Sequence, residues 1–400
     1  MRRLFSLLLL IPSFALGQNV ASIVRGNQSH PAGLPPSSAV EVLYVVDNSV
    51  LTTYNIDPQT FQATAVGTTT MPSAKYVSIQ TSADGRFLYY LTNPTFSSGH
   101  LKLYVFDTDA TGVPGSTPVQ ATNANQLYGL AINPAGTFFY SVAIGPVSPQ
   151  YTTNFAIVRN VIDPVTGSLS QPVTEATYTL DSDPSGNDCG LQILGFNPAG
   201  TTLYDGIFCG APHASGSETF NQRSVDLQTG ALGPDQQVYG FSYYAASGYA
   251  NVQFENNLLF AFNAFYNQGP NANTVQIYQT QPLSTTPLVN CTTSMLTVCG
   301  DFFSRTYAHP SGKYVFLQDT NYLTDILQVD LTTQQLTQVN TIPGNVENLS
   351  PDGSVIYSDN PDNAEIRIAG FNATNGEVKL GGSVLLPHVI DDYWTAAERY

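Results

Sequence analysis

The sequence is poor in charge, and basic residues are the scarcest. Lysine and arginine together number 13, against 29 aspartate and glutamate residues, and the formal net charge is −16. Charged residues make up 10% of the chain, well below the ~25% of an average globular domain. Binding to nucleic acid or to an anionic membrane surface requires clustered lysine and arginine, so we expect neither partner.

Long apolar runs and helical periodicity are also lacking. One apolar run, Leu4–Phe14, follows two arginines and precedes Ala15-Leu16-Gly17. It is shorter than the ~20 residues that a membrane-spanning helix needs. A basic start, a short apolar run and a small-residue cleavage site together are typical of a secretory signal peptide.

Three regions follow from this pattern. We expect residues 1–17 to be a signal peptide and residues 18–38, rich in Ser, Pro, Gly and Asn, to be a flexible linker. Residues 39–400 show no compositional break and are expected to form one domain. The mature protein is then exported and soluble, either periplasmic or extracellular.

Cysteine is scarce, and no Cys-x-x-Cys spacing occurs among the four cysteines, which argues against zinc and redox sites of that type. In an exported chain, four cysteines predict two disulfides. Cys189 and Cys209 flank the turn Asn197–Gly200 almost symmetrically, so we expect them to face each other across two antiparallel strands. Cys291 and Cys299 would close a small loop between two repeats.

What the chain has in abundance is a repeated unit. An apolar run, a polar turn and a second run centred on an aromatic residue recur seven times. These aromatic residues, here called anchors, are Tyr44, Tyr89, Tyr140, Tyr204, Phe260, Phe316 and Tyr357. A unit of roughly 40–60 residues is typical of propellers and solenoids. We therefore predict an all-β fold, a seven-bladed β-propeller of four-stranded antiparallel blades.

Two turns organise each predicted blade. The inner turn precedes the anchor and ends in glycine, as in Asn133–Gly136. The outer turn begins with Asp or Asn, as at Asp163, whose side chain can accept hydrogen bonds from the following backbone. The first copy has no apolar run before its anchor within residues 39–400, so we expect the C-terminal segment Tyr393–Arg399 to supply that innermost strand and close the ring.

The strands after the turns carry a family resemblance. Tyr357-Ser-Asp-Asn360 and Tyr44-Val-Val-Asp47 are similar to the units of YVTN repeat proteins. Over nearly all of Val40–Pro387 the chain resembles the seven-bladed β-propeller lactonases, the 6-phosphogluconolactonase-like group. The resemblance implies a hydrolase that opens a lactone ring. Lactonases of this group place a histidine, preceded by arginine, seven residues before an inner-turn glycine, and the matching position here is Arg305.

Lactone hydrolysis needs an activated water and a donor for the developing oxyanion. Arg305 can polarise a carbonyl or hold a carboxylate, or can pair with an acidic neighbour near the axis. His213 and Glu218, in the predicted loop 209–220, can act as a base and its orienting partner, or can be a generic exposed pair. A phosphorylated lactone is not expected because the chain offers no cationic pocket.

One rim of a propeller carries the loops that follow the second strand of each blade and the connections between blades. We call it the loop-rich rim. Long loops on one face of a scaffold commonly carry binding. Aromatic and amide side chains in these loops suit neutral polar ligands such as sugars, or simply pack the loops. The ligand-binding candidates are Tyr151, Phe265, Tyr266, Asp319 and Tyr322.

Calcium is the one metal ion that the sequence brings into consideration. Asp181, Asp183 and Asp188 alternate with other polar residues around a glycine, as at the start of a calcium-binding loop. The twelfth position is Gln192 rather than glutamate, and a polar connection between blades is the alternative. We expect no other cofactor.

Two functions of different kinds agree with these residues. The first is an exported hydrolase of a non-phosphorylated lactone. The second is a non-catalytic propeller that binds a glycan, a peptide or a protein through the loop-rich rim. In both cases we expect a monomer whose partner is a small neutral ligand or a peptide or protein.

Overall fold

A computed structural model of the protein describes residues 22–27, 41–47, 49–72, 76–82, 84–93, 100–125, 127–144, 152–181, 188–210, 216–243, 248–265, 274–281, 284, 286–292, 306–318, 323–350, 352–360 and 364–386. These residues form 28 strands and the turns between them, with no helix. A helix long and apolar enough to cross a bilayer is accordingly not found among them. The predicted signal peptide and the segment Tyr393–Arg399 lie outside the described residues.

The strands form seven four-stranded antiparallel sheets, each in chain order from the innermost strand outward. The blades are blade 1 (β1 Ser22–Asn27, β2 Glu41–Asp47, β3 Val50–Ile56, β4 Ala63–Thr70), blade 2 (β5 Tyr76–Thr81, β6 Phe87–Asn93, β7 His100–Asp107, β8 Gln120–Asn125), blade 3 (β9 Leu127–Ile132, β10 Phe138–Ile144, β11 Thr152–Val161, β12 Val173–Asp181), blade 4 (β13 Asp188–Phe196, β14 Thr202–Gly210, β15 Gly216–Val225, β16 Leu232–Tyr243), blade 5 (β17 Gly248–Glu255, β18 Leu258–Phe265, β19 Thr274–Gln279, β20 Val289–Thr292), blade 6 (β21 Thr306–Ala308, β22 Tyr314–Gln318, β23 Leu323–Asp330, β24 Gln335–Pro343) and blade 7 (β25 Asn345–Leu349, β26 Val355–Asn360, β27 Glu365–Asn372, β28 Glu377–Leu385). The predicted seven-bladed propeller is confirmed.

The blades close into a ring. Their innermost strands contact one another in the cyclic order β1, β5, β9, β13, β17, β21, β25 and back to β1. The described residues form seven buried apolar clusters, and each cluster combines side chains of two neighbouring blades. The core therefore lies between the blades, because both faces of every sheet are covered by a neighbour.

The anchor tyrosines fasten one blade to the next. Three of their hydroxyls donate hydrogen bonds to a glycine carbonyl in the outer turn of the following blade: Tyr44 to Gly112 (2.8 Å), Tyr89 to Gly167 (3.1 Å) and Tyr140 to Gly230 (2.5 Å). Burial raises the pKa of these hydroxyls, so they stay protonated and able to donate. The recurring tyrosine thus contributes a specific bond as well as apolar surface.

The turns behave as their residues predict. Gly136 ends an inner turn with φ of 68°, in the left-handed region that glycine enters without steric cost. In the outer turn of blade 3, Asp163 Oδ1 accepts hydrogen bonds from the N–H groups of Val165 (2.7 Å) and Thr166 (3.0 Å). These bonds favour the charged carboxylate and lower the pKa of Asp163.

Blade 1 takes its innermost strand from the N-terminal side. β1 pairs with β2 from Ser22 opposite Val46 to Asn27 opposite Glu41. The prediction that Tyr393–Arg399 supplies this strand is wrong, because β1 occupies the position beside β2. The linker prediction is wrong for residues 22–27, because they form β1. The surrounding Ser, Pro and Gly residues gave this short strand a composition typical of a linker.

Hydrogen bonds and apolar contacts join blade 7 to blade 1 without a shared strand. Tyr357, the last anchor, donates a hydrogen bond from Oη to Glu41 Oε1 (3.1 Å). The N–H of Gly382 on β28 donates to the carbonyl of Phe61 in the outer turn of blade 1 (2.9 Å). A buried cluster that combines Leu43 and other side chains of both blades completes the junction.

Deleting β1 is expected to lower the melting temperature markedly. Its loss would leave the inner edge of β2 unpaired and remove the contacts of β1 with β5 and β25. Thermal unfolding followed by circular dichroism would compare a variant without residues 22–27 with one without residues 388–400. A larger fall from the C-terminal deletion would contradict this expectation.

Candidate functional site

The structure describes part of the predicted site. Eight of the predicted residues lie outside the described residues: Tyr151, Asp183, His213, Tyr266, Cys299, Arg305, Asp319 and Tyr322. The others lie on strands, namely Asp181 on β12, Asp188 and Cys189 on β13, Cys209 on β14, Glu218 on β15, Phe265 on β18 and Cys291 on β20. Phe265 is the last residue of a second strand and therefore reaches the loop-rich rim.

Glu218 lies on a strand rather than in a long loop. β14 extends to Gly210 and β15 begins at Gly216, so the predicted loop 209–220 is mostly strand. Glu218 pairs with Phe208 on one side and Phe241 on the other. Two strands separate it from the propeller axis.

The cysteines of blade 4 have the predicted register. Cys189 and Cys209 are directly opposite each other in the β13–β14 pair. Cys291 is buried on β20, and no free cysteine occurs in the described part of the chain. The two disulfides remain predictions.

The calcium candidates border one connection. Asp181 ends β12, the outermost strand of blade 3, and Asp188 begins β13, the innermost strand of blade 4. Among the described residues, no group of three His, Cys, Asp or Glu side chains is placed to hold a metal ion. Calcium binding remains a prediction.

A continuous layer of buried polar residues crosses from blade 6 to blade 7 at the loop-rich rim. We call Gln318, Thr324, Asn345 and Asp359 the polar seam. Gln318, the last residue of β22, is directly opposite Thr324 on β23. Thr324 Oγ1 donates a hydrogen bond to the carbonyl of Gly344 (2.8 Å). Asn345 follows and donates its backbone N–H to Asp359 Oδ1 (2.9 Å), directly across the β25–β26 pair.

The amide side chains of the seam are not satisfied within the described protein. Both polar atoms of the Asn345 side chain, Oδ1 and Nδ2, have no hydrogen-bond partner among the described residues, and the same holds for Gln318 Oε1. Asn345 is 1% exposed and Gln318 is 8% exposed. More than nine in ten buried polar groups are hydrogen-bonded, so an exception of this kind is a candidate ligand contact.

Gly344 makes the close approach of the two blades possible. Its φ is +88°, in the left-handed region. A Cβ at this position would lie 1.9 Å from the carbonyl oxygen of Asp359. Only glycine therefore lets β25 begin where Asn345 meets Asp359.

The sequence contains a signal for this layer. The position two residues after the anchor is apolar or glycine in five blades: Val46, Leu91, Val142, Gly206 and Phe262. Blades 6 and 7 have Gln318 and Asp359 there instead. These side chains share the buried blade face with the anchors, where a polar residue is unexpected.

Two predicted site residues lie beside the seam along the chain, and a third precedes β21, the strand that pairs with β22. Arg305 immediately precedes Thr306, the first residue of β21. Asp319 immediately follows Gln318, and Tyr322 immediately precedes Leu323, the start of β23. In sequence, Asp319 and Tyr322 therefore flank the gap between β22 and β23, the two strands of blade 6 that carry seam residues.

A second buried polar group, between blades 3 and 4, is closed by its own contacts. Asp205 Oδ1 accepts hydrogen bonds from Tyr178 Oη and Asn221 Nδ2, each at 3.1 Å, and Oδ2 accepts one from Arg223 Nε at 2.9 Å. Burial raises the pKa of the Asp205 carboxyl, and these hydrogen bonds oppose the rise. With its oxygens occupied, Asp205 serves the structure rather than a substrate.

His309 is also structural. Its Nδ1 accepts a hydrogen bond from the N–H of Ser311 (3.0 Å), and its Nε2 lies 3.2 Å from the carbonyl of Gly353 in the next blade. The ring is 1% exposed and packs against Tyr314 and Phe371. This histidine therefore holds an inner turn, as its place in the repeat indicates.

No family model and no curated protein sequence matches the chain. Among solved structures it is similar to a proposed 6-phosphogluconolactonase from Bacteroides uniformis, with a TM-score of 0.56 and 14% identity over 94% of this chain and 98% of that one. A second protein of that description, from Bacteroides fragilis, gives 0.55 and 14% over the same shares. Prolyl oligopeptidase B from Galerina marginata gives 0.55 and 10% over 94% of this chain and 53% of that one.

Likeness at such low identity shows the fold. The chain has the seven-bladed propeller fold that the lactonase-like structures share. A peptidase reaches the same TM-score as the lactonase-like proteins, and one fold hosts many activities. The function must therefore be argued from the site.

Proposed function

We propose that the protein hydrolyses a non-phosphorylated lactone at the loop-rich rim of blades 6 and 7. The observation that carries the proposal is the polar seam, in which both side-chain polar atoms of Asn345 and Oε1 of Gln318 have no hydrogen-bond partner among the described residues. In the chain, Arg305, the position at which the lactonase-like group has its histidine, immediately precedes β21 of blade 6. Similarity to proposed 6-phosphogluconolactonases over 94% of the chain supports the same activity.

The proposed reaction needs two groups beside the lactone carbonyl. Arg305 supplies positive charge to the carbonyl oxygen as it becomes an oxyanion. Asp319 accepts a proton from the attacking water, whose oxygen forms the new bond to the carbonyl carbon. The ring C–O bond then breaks, the ring oxygen takes up a proton, and a hydroxy acid leaves. His213 and Glu218 fit this reaction less well, because Glu218 belongs to blade 4 and the seam to blades 6 and 7.

The charge of the chain supports a substrate without phosphate. The net charge is −16, and the seam itself contains Asp359 and no basic residue. Arg305 is the one basic residue that we place at the site, and it is assigned to the carbonyl oxygen, so a phosphate group would lack the arginine and lysine side chains that commonly bind it. The proposal therefore differs from the phosphorylated substrate in the name of the Bacteroides proteins.

We also propose that the protein acts outside the cytoplasm. Support comes from the N-terminal pattern of two arginines, an apolar run and Ala15-Leu16-Gly17. Its expected location is periplasmic or extracellular. N-terminal sequencing of protein secreted from the full-length gene is expected to find a start near Gln18, and an intact leader would contradict export.

The experiment that tests the activity is hydrolysis of a lactone panel by the purified protein. The panel contains neutral sugar lactones, acyl lactones and a 6-phosphorylated sugar lactone, each followed by titration of released acid, with and without calcium. We expect turnover of neutral lactones above the spontaneous rate. Arg305→Ala should lower kcat by about 100-fold or more, as loss of an oxyanion donor does.

Arg86→Ala is a suitable control, since Arg86 is exposed in an inner turn, on the opposite rim, and pairs with Asp84. It should leave turnover unchanged. If folded wild-type protein hydrolyses no lactone, the hydrolase proposal fails. A non-catalytic propeller that binds a glycan, peptide or protein then becomes the function to test, by saturable binding on arrays.

A further inference from the structure

We propose that Asn345 and Gln318 hydrogen-bond the hydroxyl groups of the ligand, and that the ligand is a neutral polyhydroxylated ring such as a sugar lactone. The assignment of a lactone rests on the proposed function. The assignment of these two residues rests on the seam itself. Neither residue belongs to the lactonase-like pattern that drew attention to Arg305.

Asn55 Oδ1 and Gln222 Oε1 are also buried without a partner among the described residues, but of the described amides Asn345 is the one whose oxygen and nitrogen both are. Two asparagines in inner turns show the usual arrangement. Asn133, equally 1% exposed, donates from Nδ2 to Thr137 Oγ1 (3.0 Å), and its Oδ1 accepts the N–H of Phe138 (2.8 Å). Asn197 makes the corresponding pair of bonds in the inner turn of blade 4. These two side chains stabilise turns, whereas the side-chain atoms of Asn345 bond to nothing in the described protein.

The position of Asn345 is nevertheless fixed. Its backbone N–H is held by Asp359 Oδ1, and Gly344 before it is held by Thr324. A glycine, a threonine and a buried carboxylate therefore together fix the position of an amide that has no hydrogen-bond partner among the described residues. Preorganised groups of this kind are what a binding site requires.

The donors and acceptors define the chemistry of the ligand. Asn345 offers an acceptor at Oδ1 and donors at Nδ2, and Gln318 offers an acceptor at Oε1. A hydroxyl group can both donate and accept, so neighbouring hydroxyls of a sugar ring satisfy this mixture. A phosphate or carboxylate group only accepts, and it would face these acceptor oxygens beside the Asp359 carboxyl. Neutral polyhydroxylated rings are therefore favoured over anionic ones.

This assignment makes an unusual prediction about stability. A buried polar group without a partner costs free energy, and replacing it with an apolar group of similar shape removes that cost. Asn345→Leu should therefore raise the melting temperature of the free protein while weakening ligand binding. Functional residues commonly show such a trade-off between stability and activity. Replacing a residue whose role is structural would lower the melting temperature instead.

The test uses binding without turnover. Wild type, Asn345→Leu, Gln318→Met and the control Asn133→Leu are compared by thermal unfolding and by calorimetric titration with two neutral rings that lack the ester, 1,5-anhydro-D-glucitol and D-glucono-1,5-lactam. We expect wild type to bind these neutral probes and to bind glucose 6-phosphate more weakly. Asn345→Leu should weaken binding at least about tenfold, the equivalent of one or more lost hydrogen bonds, and unfold at a higher temperature. Asn133→Leu should unfold at a lower temperature.

Each other result contradicts the inference. No binding of the neutral probes by wild type, unchanged affinity in Asn345→Leu, or a lower melting temperature of that variant would overturn it. Binding of the lactam without hydrolysis of any lactone would leave the inference standing and remove the proposed activity. Lactone hydrolysis that Asn345→Leu leaves unchanged would overturn the inference and leave the proposed activity standing.

Discussion

Asp205→Leu is expected to lower the free energy of unfolding by about 3–5 kcal/mol, the usual cost of leaving a buried charge without its partner. The variant would leave the guanidinium of Arg223 without its carboxylate partner. This side chain is 6% exposed, and its Nε donates to Asp205 at 2.9 Å. Tyr178 and Asn221 would also lose their shared acceptor. Chemical denaturation or calorimetry would measure the effect.

The remaining acceptors cannot replace Asp205. Arg223 Nη1 donates to the carbonyl of Gly233 at 3.3 Å and Nη2 donates to Tyr178 Oη, but both acceptors are neutral. Nη2 also lies 3.7 Å from Asp235, whose side chain is 54% exposed. An exposed carboxylate at this distance contributes at most about 1 kcal/mol. Asp235→Ala is therefore the matched control and should change stability little.

The double variant Asp205→Leu with Arg223→Met tests whether the loss of stability comes from the unpaired charge of Arg223 or from the loss of the ion pair as a whole. Replacing a whole buried ion pair by apolar residues is often close to neutral, so the double variant should be more stable than Asp205→Leu alone. If the double variant is as unstable as Asp205→Leu, or loses the sum of the two single effects, then the unpaired charge of Arg223 is not the cause. In that case the contribution of the cluster would come from packing.

Gly381→Ala is expected to destabilise the junction between blades 7 and 1 by about 3 kcal/mol, at the upper end of the usual cost of overpacking. A Cβ on Gly381 would lie 2.3 Å from Phe61 Cβ, 2.6 Å from the carbonyl oxygen of Phe61 and 3.0 Å from that of Ile368. Because these contacts involve backbone and the adjoining Cβ, side-chain rotation cannot relieve them. The outer turn of blade 1 would have to move away from β28.

Gly382→Ala provides a neighbouring control on the same strand. There the first atom met is Gln62 Oε1, at 2.7 Å, and the end of a flexible side chain can move aside. Its N–H would still donate to the carbonyl of Phe61. Melting temperatures that fall equally in the two variants would show that the junction does not depend on close contact at Gly381.

The regular part of the fold could be predicted from sequence because each blade repeats one solution to the same packing problem. The anchors, the glycine at the end of the inner turn and the Asp of the outer turn all adopt the expected roles, and the register that places Cys189 opposite Cys209 follows from one turn. Ring closure could not be predicted, because it occurs once and has no repeat to reveal it. β1 is short and lies in a stretch whose composition is typical of a linker.

Arg305, Asp319 and Tyr322 lie outside the described residues, so their roles in the site remain predictions. Asn345 was not identified, since its importance depends on what surrounds its side chain rather than on its residue type. Glu218 was placed in a loop because no local pattern marks where β14 ends and β15 begins.

The sequence by itself determined the blade, its turns and the number of blades, because these depend on interactions among residues close together in the chain and on a repeated apolar pattern. Tertiary structure decided how blade 7 meets blade 1 and where polar groups remain unsatisfied. Both depend on contacts between residues far apart in sequence, such as Tyr357 with Glu41, and on which hydrogen bonds those contacts leave unmade. Such contacts leave no periodic trace in a single sequence, so only the folded chain reveals them.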